Sequence, residues 1–155
     1  MSVRSTARSS KKEGPEIQAL VDQAKLAERE GRWSEAALSY ERLVRDPAAD
    51  DQTRLCALRW LGRVYLEQGN RGAAIDVLEA AVAAATQAGS ASAIAQALNV
   101  VAIVHQTGGD LDRAELMYRE ARGTAESIND AAALAMIDQN LGTVASIRGN
   151  VHEAL

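Results

Sequence analysis

Residues 98–121 read LNVVAIVHQTGGDLDRAELMYREA. An apolar-faced helix runs to Thr107, Gly108-Gly109 stops it, and a second helix opens at Leu111. Four landmarks fix the reading: Ala102, a glycine seven residues on (Gly109), an alanine five further (Ala114), and Tyr118 four beyond that. The same landmarks recur along the chain. The glycines fall at Gly31, Gly69, Gly109 and Gly149, spaced 38, 40 and 40. Seven residues before each stands Ala24, Gly62, Ala102 or Gly142, and five after each stands Ala36, Ala74, Ala114 or Ala154. Tyr40, Leu78 and Tyr118 complete the three full units. Fixed offsets at a constant period are the signature of a repeat array.

Each landmark has a physical reason. Glycine past a helix end adopts the left-handed backbone that turns the chain. The small residues let two helices approach closely, and the large side chain fills the space beside them. One such pair cannot bury its own apolar face, so stability comes from stacked neighbours.

Working outward, the pattern predicts helices from Glu16 to Gly31, from a Ser34 cap to Asp46-Pro47, and from Asp50–Gln52 to Gly69. Others follow over 71–88, 92–107, 111–128 and 132–148, and an eighth opens at Val151 and is cut off at Leu155. In the second helix Ala37, Leu38, Leu43 and Val44 are expected on one side. Gly89-Ser90 and Asn129-Asp130 separate successive units. No alternating apolar run signals a strand.

Composition agrees. Aromatics are 3% of 155 residues and Phe is absent, while alanine is roughly one residue in five, which favours closely packed helices. Residues 1–12 carry Arg4, Arg8, Lys11 and Lys12 without an acid, leaving 13 cations against 21 acids in the rest. The Ser-rich basic stretch 1–15 is expected to be a disordered tail, with a targeting peptide the weaker reading. An acidic body disfavours nucleic acid. No run has membrane-spanning length, and Cys56 stands alone, so a cytoplasmic protein without a disulfide is expected.

At these landmarks the chain resembles the tetratricopeptide repeat family, in its extended variety of about forty residues found in bacterial signalling proteins and kinesin-light-chain-like repeats. The resemblance implies an all-α, right-handed superhelical solenoid of antiparallel helix pairs over 16–155. Its units would be 17–50, 51–90 and 91–130, with a truncated fourth at 131–155. Gln23 and Arg71 depart from the family pattern, which prefers large apolar residues there.

Chemistry-bearing residues are sparse. His105 has no His, Cys or acid on its face four residues away, so packing in place of a tyrosine is the better reading. Cys56 reads as a small apolar residue, and Asp110, Asp112, Glu115 and Glu120 as a solvated helix start. No catalytic, metal or cofactor site is expected, and the chain is read as a non-enzymatic scaffold. The resemblance implies a concave groove lined by the first helix of each pair, which receives a partner peptide or helix. That places Lys25, Arg29, Arg59 and Arg63 at a basic end suited to an acidic partner, and Asn99, Ile103, Gln106, Gln139 and Asn140 at an amide-rich end. Clamping of a terminal carboxylate, as in chaperone-binding members, fits poorly: Val100 stands where an Asn is expected and Asn140 where an Arg is. The competing reading is a self-associating, sensory or docking fragment of a larger bacterial regulatory protein, with Leu141, Val144 and Ala145 left uncovered.

Overall fold

The structure, a computed structural model, describes residues 14–154. The basic tail falls almost wholly on residues 1–13, outside the described residues. Seven helices follow: α1 (Pro15–Arg29), α2 (Trp33–Arg45), α3 (Asp51–Glu67), α4 (Arg71–Gln87), α5 (Ala91–Thr107), α6 (Leu111–Ser127) and α7 (Ala131–Ala154). Among the described residues there is no strand. Each helix packs on the next, and α3, α5 and α7 also touch one another in turn. The fold is an all-α repeat solenoid.

The connections show why the period is forty. Helices α3 to α6 are each 17 residues long. Gly69, Gly89 and Gly109 have φ of 75°, 67° and 83°, and Asn129, at the same place one unit on, has φ 54°. Asparagine tolerates that left-handed conformation better than other residues with a Cβ. The next residue caps the following helix: Asn70, Ser90, Asp110 and Asp130 accept from the backbone N–H three residues on, and Asp50 does the same for α3. A three-residue connection suffices because its second residue turns the chain and its third satisfies an orphan N–H. Burial repeats with it: residues 74–90 and 114–130 fall in the same burial class position by position.

Three sequence expectations need correction. Ser34 does not cap α2, which begins one residue earlier after Arg32 without a side-chain cap; Arg32 instead pairs with Glu30 and Glu35. Leu38 is 62% exposed, because Ala36, Tyr40 and Leu43 set the inward phase and a residue two positions from Ala36 points roughly 200° away. Among the described residues no eighth helix opens at Val151, since α7 runs through Gly149 to Ala154. The backbone ladder continues through Gly149 at the modest cost of a helical glycine.

At the unit landmarks Ala24, Ala36, Tyr40, Ala74, Leu78, Ala102, Ala114 and Tyr118 are all wholly buried. The apolar interior divides into three clusters. One joins α1, α2 and α3; a second joins Leu98, Ala102, Tyr118, Ile137 and Val144 across α5, α6 and α7. A small third cluster, made of Ala74, Leu78, Val100, Val101 and Val104, lies between α4 and α5. Helix α5 serves two clusters with opposite sides, hence its unbroken buried run from Ala97 to Ala102. Val144 is 2% exposed, so it is not part of an uncovered face; Leu141 is half-buried and Ala145 exposed. Arg148 fastens the end of α7 to Asp112 at 2.5 Å and Glu115 at 3.1 Å.

Arg71 now has an explanation. Its guanidinium Nη2 donates to the Val104 carbonyl at 3.3 Å, a carbonyl that also accepts from the Gly108 N–H and the Thr107 hydroxyl, at the C-terminal end of α5, where a cation complements the helix dipole. Gly108 leaves room for it, since a Cβ there would run into the guanidinium. Gln23 is exposed.

Three tyrosines tie helices together by their hydroxyls. Tyr40 donates to Glu28 at 2.8 Å, Tyr65 to Glu41 at 2.5 Å and Tyr118 to Gln106 at 2.7 Å. Burial pushes Tyr65 and Tyr118 up to about 12, Glu41 adding to the effect at Tyr65. Burial and then the bond to Glu28 raise Tyr40 as well. The folded chain therefore holds these protons above the ordinary value of 10. Their contribution is complete below the unfolded value and is lost as pH rises through the folded one. We expect the urea midpoint to hold steady to about pH 9.5 and to fall from about pH 10 to 12, less steeply in Tyr118→Phe. A midpoint that rises across that window would contradict the assignment.

Candidate functional site

Because α3, α5 and α7 lie side by side, their shared face forms a cleft of about 540 Å³. Arg59 and Arg63 line one edge, Gln96, Asn99, Val100 and Ile103 the middle, and Ala132, Ala133, Met136 and Ile137 the other edge, with Asp130 at the rim. The floor is apolar: Ala95 and Ile137 are 1% exposed and Val100 5%. Met136 stands above it, 54% exposed.

Asn99 is the polar group in that floor, 6% exposed. Its Oδ1 accepts from Asn140 Nδ2 at 3.0 Å, and its Nδ2 donates to the Met136 sulfur at 3.6 Å. A thioether is a weak acceptor, whereas a side-chain amide has two N–H donors. An incoming backbone carbonyl would therefore be a better partner for Asn99 than Met136 is.

A second depression of about 470 Å³ continues from the first. Lys25, Glu28, Arg29, Trp33, Tyr40 and Trp60 line it, and Arg63 lines both. Three of the five aromatics in the chain gather here. Lys25 Nζ lies 4.7 Å and Arg59 Cζ 5.9 Å from the Trp60 ring centroid, and the Tyr40 ring lies 5.5 Å from that of Trp60. A ring face holds a cation in place without neutralising it. Among the described residues no carboxylate forms an ion pair with Lys25, Arg29 or Arg59. Arg63 does have a partner, with Nη2 3.1 Å from Glu28 Oε1.

The structure thus brings Arg59, Arg63, Asn99 and Ile103 into one cleft and Lys25 and Arg29 into its continuation. Asn140 adjoins them through Asn99. Gln106 lines neither depression; its Oε1 accepts from Tyr118. Gln139 is exposed on α7 and also lies outside the lining. Sequence reasoning missed Trp60 and Glu28. The paired cations Lys25/Arg29 and Arg59/Arg63, each at i,i+4, were a usable signal, and an aromatic beside Arg59 in so aromatic-poor a chain was another. His105 is half-buried on α5 and lines neither depression. Among the described residues no cluster of His, Cys, Asp or Glu could hold a metal ion, and no helix is long and apolar enough to cross a membrane.

Comparison with known proteins bears on the fold and on the class of function. A family model for the tetratricopeptide repeat matches residues 53–127, and a second tetratricopeptide model matches 19–55. A search of curated proteins gives no match. Among solved structures, the crystal structure of BtubC (BKLC) from P. vanneervenii is similar, with a TM-score of 0.71 and 24% identity. The match covers 89% of this chain and 59% of that one, so the chain spans less than two thirds of that structure. Tetratricopeptide repeats generally mediate protein–protein interactions and are typically non-catalytic scaffolds. With glycine-punctuated helix pairs throughout and the two models together spanning 19–127, the chain belongs to the tetratricopeptide repeat family.

Proposed function

We propose that the protein is a non-catalytic scaffold that receives a linear segment of an acidic partner protein along the α3–α5–α7 groove. One observation carries this reading: Arg59 and Arg63 edge an apolar cleft whose buried amide, Asn99, spends a donor on a sulfur atom. Apolar side chains of the partner would seat over Val100 and Ile137, its carboxylates would meet the guanidinium forks, and its backbone would bond Asn99. Affinity would rest on these few anchors rather than on area.

The test uses a fluorescein-labelled twelve-residue peptide with two leucines at one end and four glutamates at the other. Replacing Arg59 and Arg63 together by alanine should weaken its binding about tenfold, two partly exposed charge pairs at roughly 0.5–1 kcal/mol each. The salt dependence should flatten as well, since exposed charge contacts are the screened ones. Unchanged affinity in a variant that melts like the parent would sink the groove assignment. Self-association through α7 has weaker support, because Val144, the largest residue of the expected open face after Leu141, is buried against its neighbours.

A further inference from the structure

We propose that Glu28 is an internal stand-in for the ligand's carboxylate: it occupies Arg63 in the empty groove and yields it when an acidic segment binds. This rests on the groove reading above and goes beyond it by naming the residue that sets affinity and the direction in which the segment lies.

The geometry has three parts. First, Arg63 is the hinge between the two depressions, lining both. Second, Glu28 is held from two sides: Oε1 lies 3.1 Å from Arg63 Nη2, and Oε2 accepts from Tyr40 Oη at 2.8 Å. Its side chain is 18% exposed against 53% for Arg63, so the acid is fixed while the guanidinium keeps an open side. A guanidinium has five donors in a fork, and Glu28 uses one edge of it. Third, the groove is electrically lopsided. Lys25 and Arg29 share the depression with Glu28 and Arg59 stands over Trp60, all three without ion-pair partners among the described residues, whereas Asp130 stands at the far rim, pinned there by its bond from the Ala133 N–H at 3.0 Å. An acidic segment is drawn to the Trp60 end and repelled from the Asp130 end. Its aliphatic side chains are left over Ile103 and Met136.

Glu28→Gln isolates the charge. The amide oxygen still accepts from Tyr40, and the side chain keeps its size, but Arg63 loses its internal anion. The probes are two twelve-residue peptides, leucines first and glutamates last, and the reverse. Each carries a nitroxide at one end, and both are titrated into the full chain. Glu28→Gln should tighten binding about three- to tenfold at low salt, a gain that shrinks as salt rises. In the unaltered chain a nitroxide at the glutamate end should broaden the Trp33 and Trp60 indole N–H signals, and one at the leucine end the Met136 methyl signal. A purely structural Glu28 would give unchanged or weaker binding on substitution, and that result overturns the proposal. So does a reversed or uniform broadening pattern, which remains readable if Glu28→Gln does not fold. Peptides that bind but show neither the tightening nor the end-specific broadening overturn this proposal alone; peptides that do not bind at all overturn the groove reading with it.

Discussion

Alanine at Gly62 should cost about 1–3 kcal/mol of stability, as overpacking of a filled core does, while alanine at Gly142 should add about 0.5–1 kcal/mol, the ordinary gain over glycine within a helix. The two glycines hold the same landmark, seven residues before Gly69 and Gly149. A Cβ at Gly62 would lie 2.5 Å from Leu78 Cδ2, and Leu78 is wholly buried, so neither atom has anywhere to go. A Cβ at Gly142 meets nothing within 4 Å. Urea denaturation of the two variants decides the matter. Shifts of the same sign at both positions would show that the close approach of α3 and α4 is not what selects glycine.

The second large effect belongs to Tyr118. Truncation to alanine should cost about 3–5 kcal/mol, as deletion of a buried aromatic ring does. Tyr118→Phe should cost about 1 kcal/mol, the worth of one hydrogen bond. The ring is fully enclosed among Leu98, Ala102, Ala114, Ile137 and Val144, and its hydroxyl reaches Gln106 at 2.7 Å. Gln106→Ala should match Tyr118→Phe, and the double change should cost no more than either, because one bond is lost in all three. Additive losses would separate the two residues and return Gln106 to the groove.

What could be read in the sequence and what could not divides along a physical line. The turn at Gly109 and the small contacts at Ala102 and Ala114 have local causes, repeated at a fixed period, so the chain announces them, whereas the one cap read from the sequence, Ser34, lay a residue inside its helix. Phase within a helix is already less secure: Leu38 looked inward because it is apolar, but Ala36 and Tyr40 settle which way α2 faces. Pairings between helices leave no periodic trace. Asn99 with Asn140 is 41 residues apart in sequence and Arg63 with Glu28 is 35. The cations that line the two depressions were legible as spaced pairs, while Glu28, which pairs with one of them, was not. Gln106 shared the groove's register in sequence, yet Tyr118 claims it.

The division of the apolar interior bears on how the molecule yields. The small cluster between α4 and α5 is the seam joining the two larger ones, with Tyr65 and Val77 overlapping it on one side and Met117 on the other. A linear array can open at the joints between its clusters as well as at its ends. Val100 belongs to that seam and also forms part of the cleft floor. A partner segment seated on that floor would therefore brace the joint between the two larger clusters, and occupancy of the groove would stiffen the array.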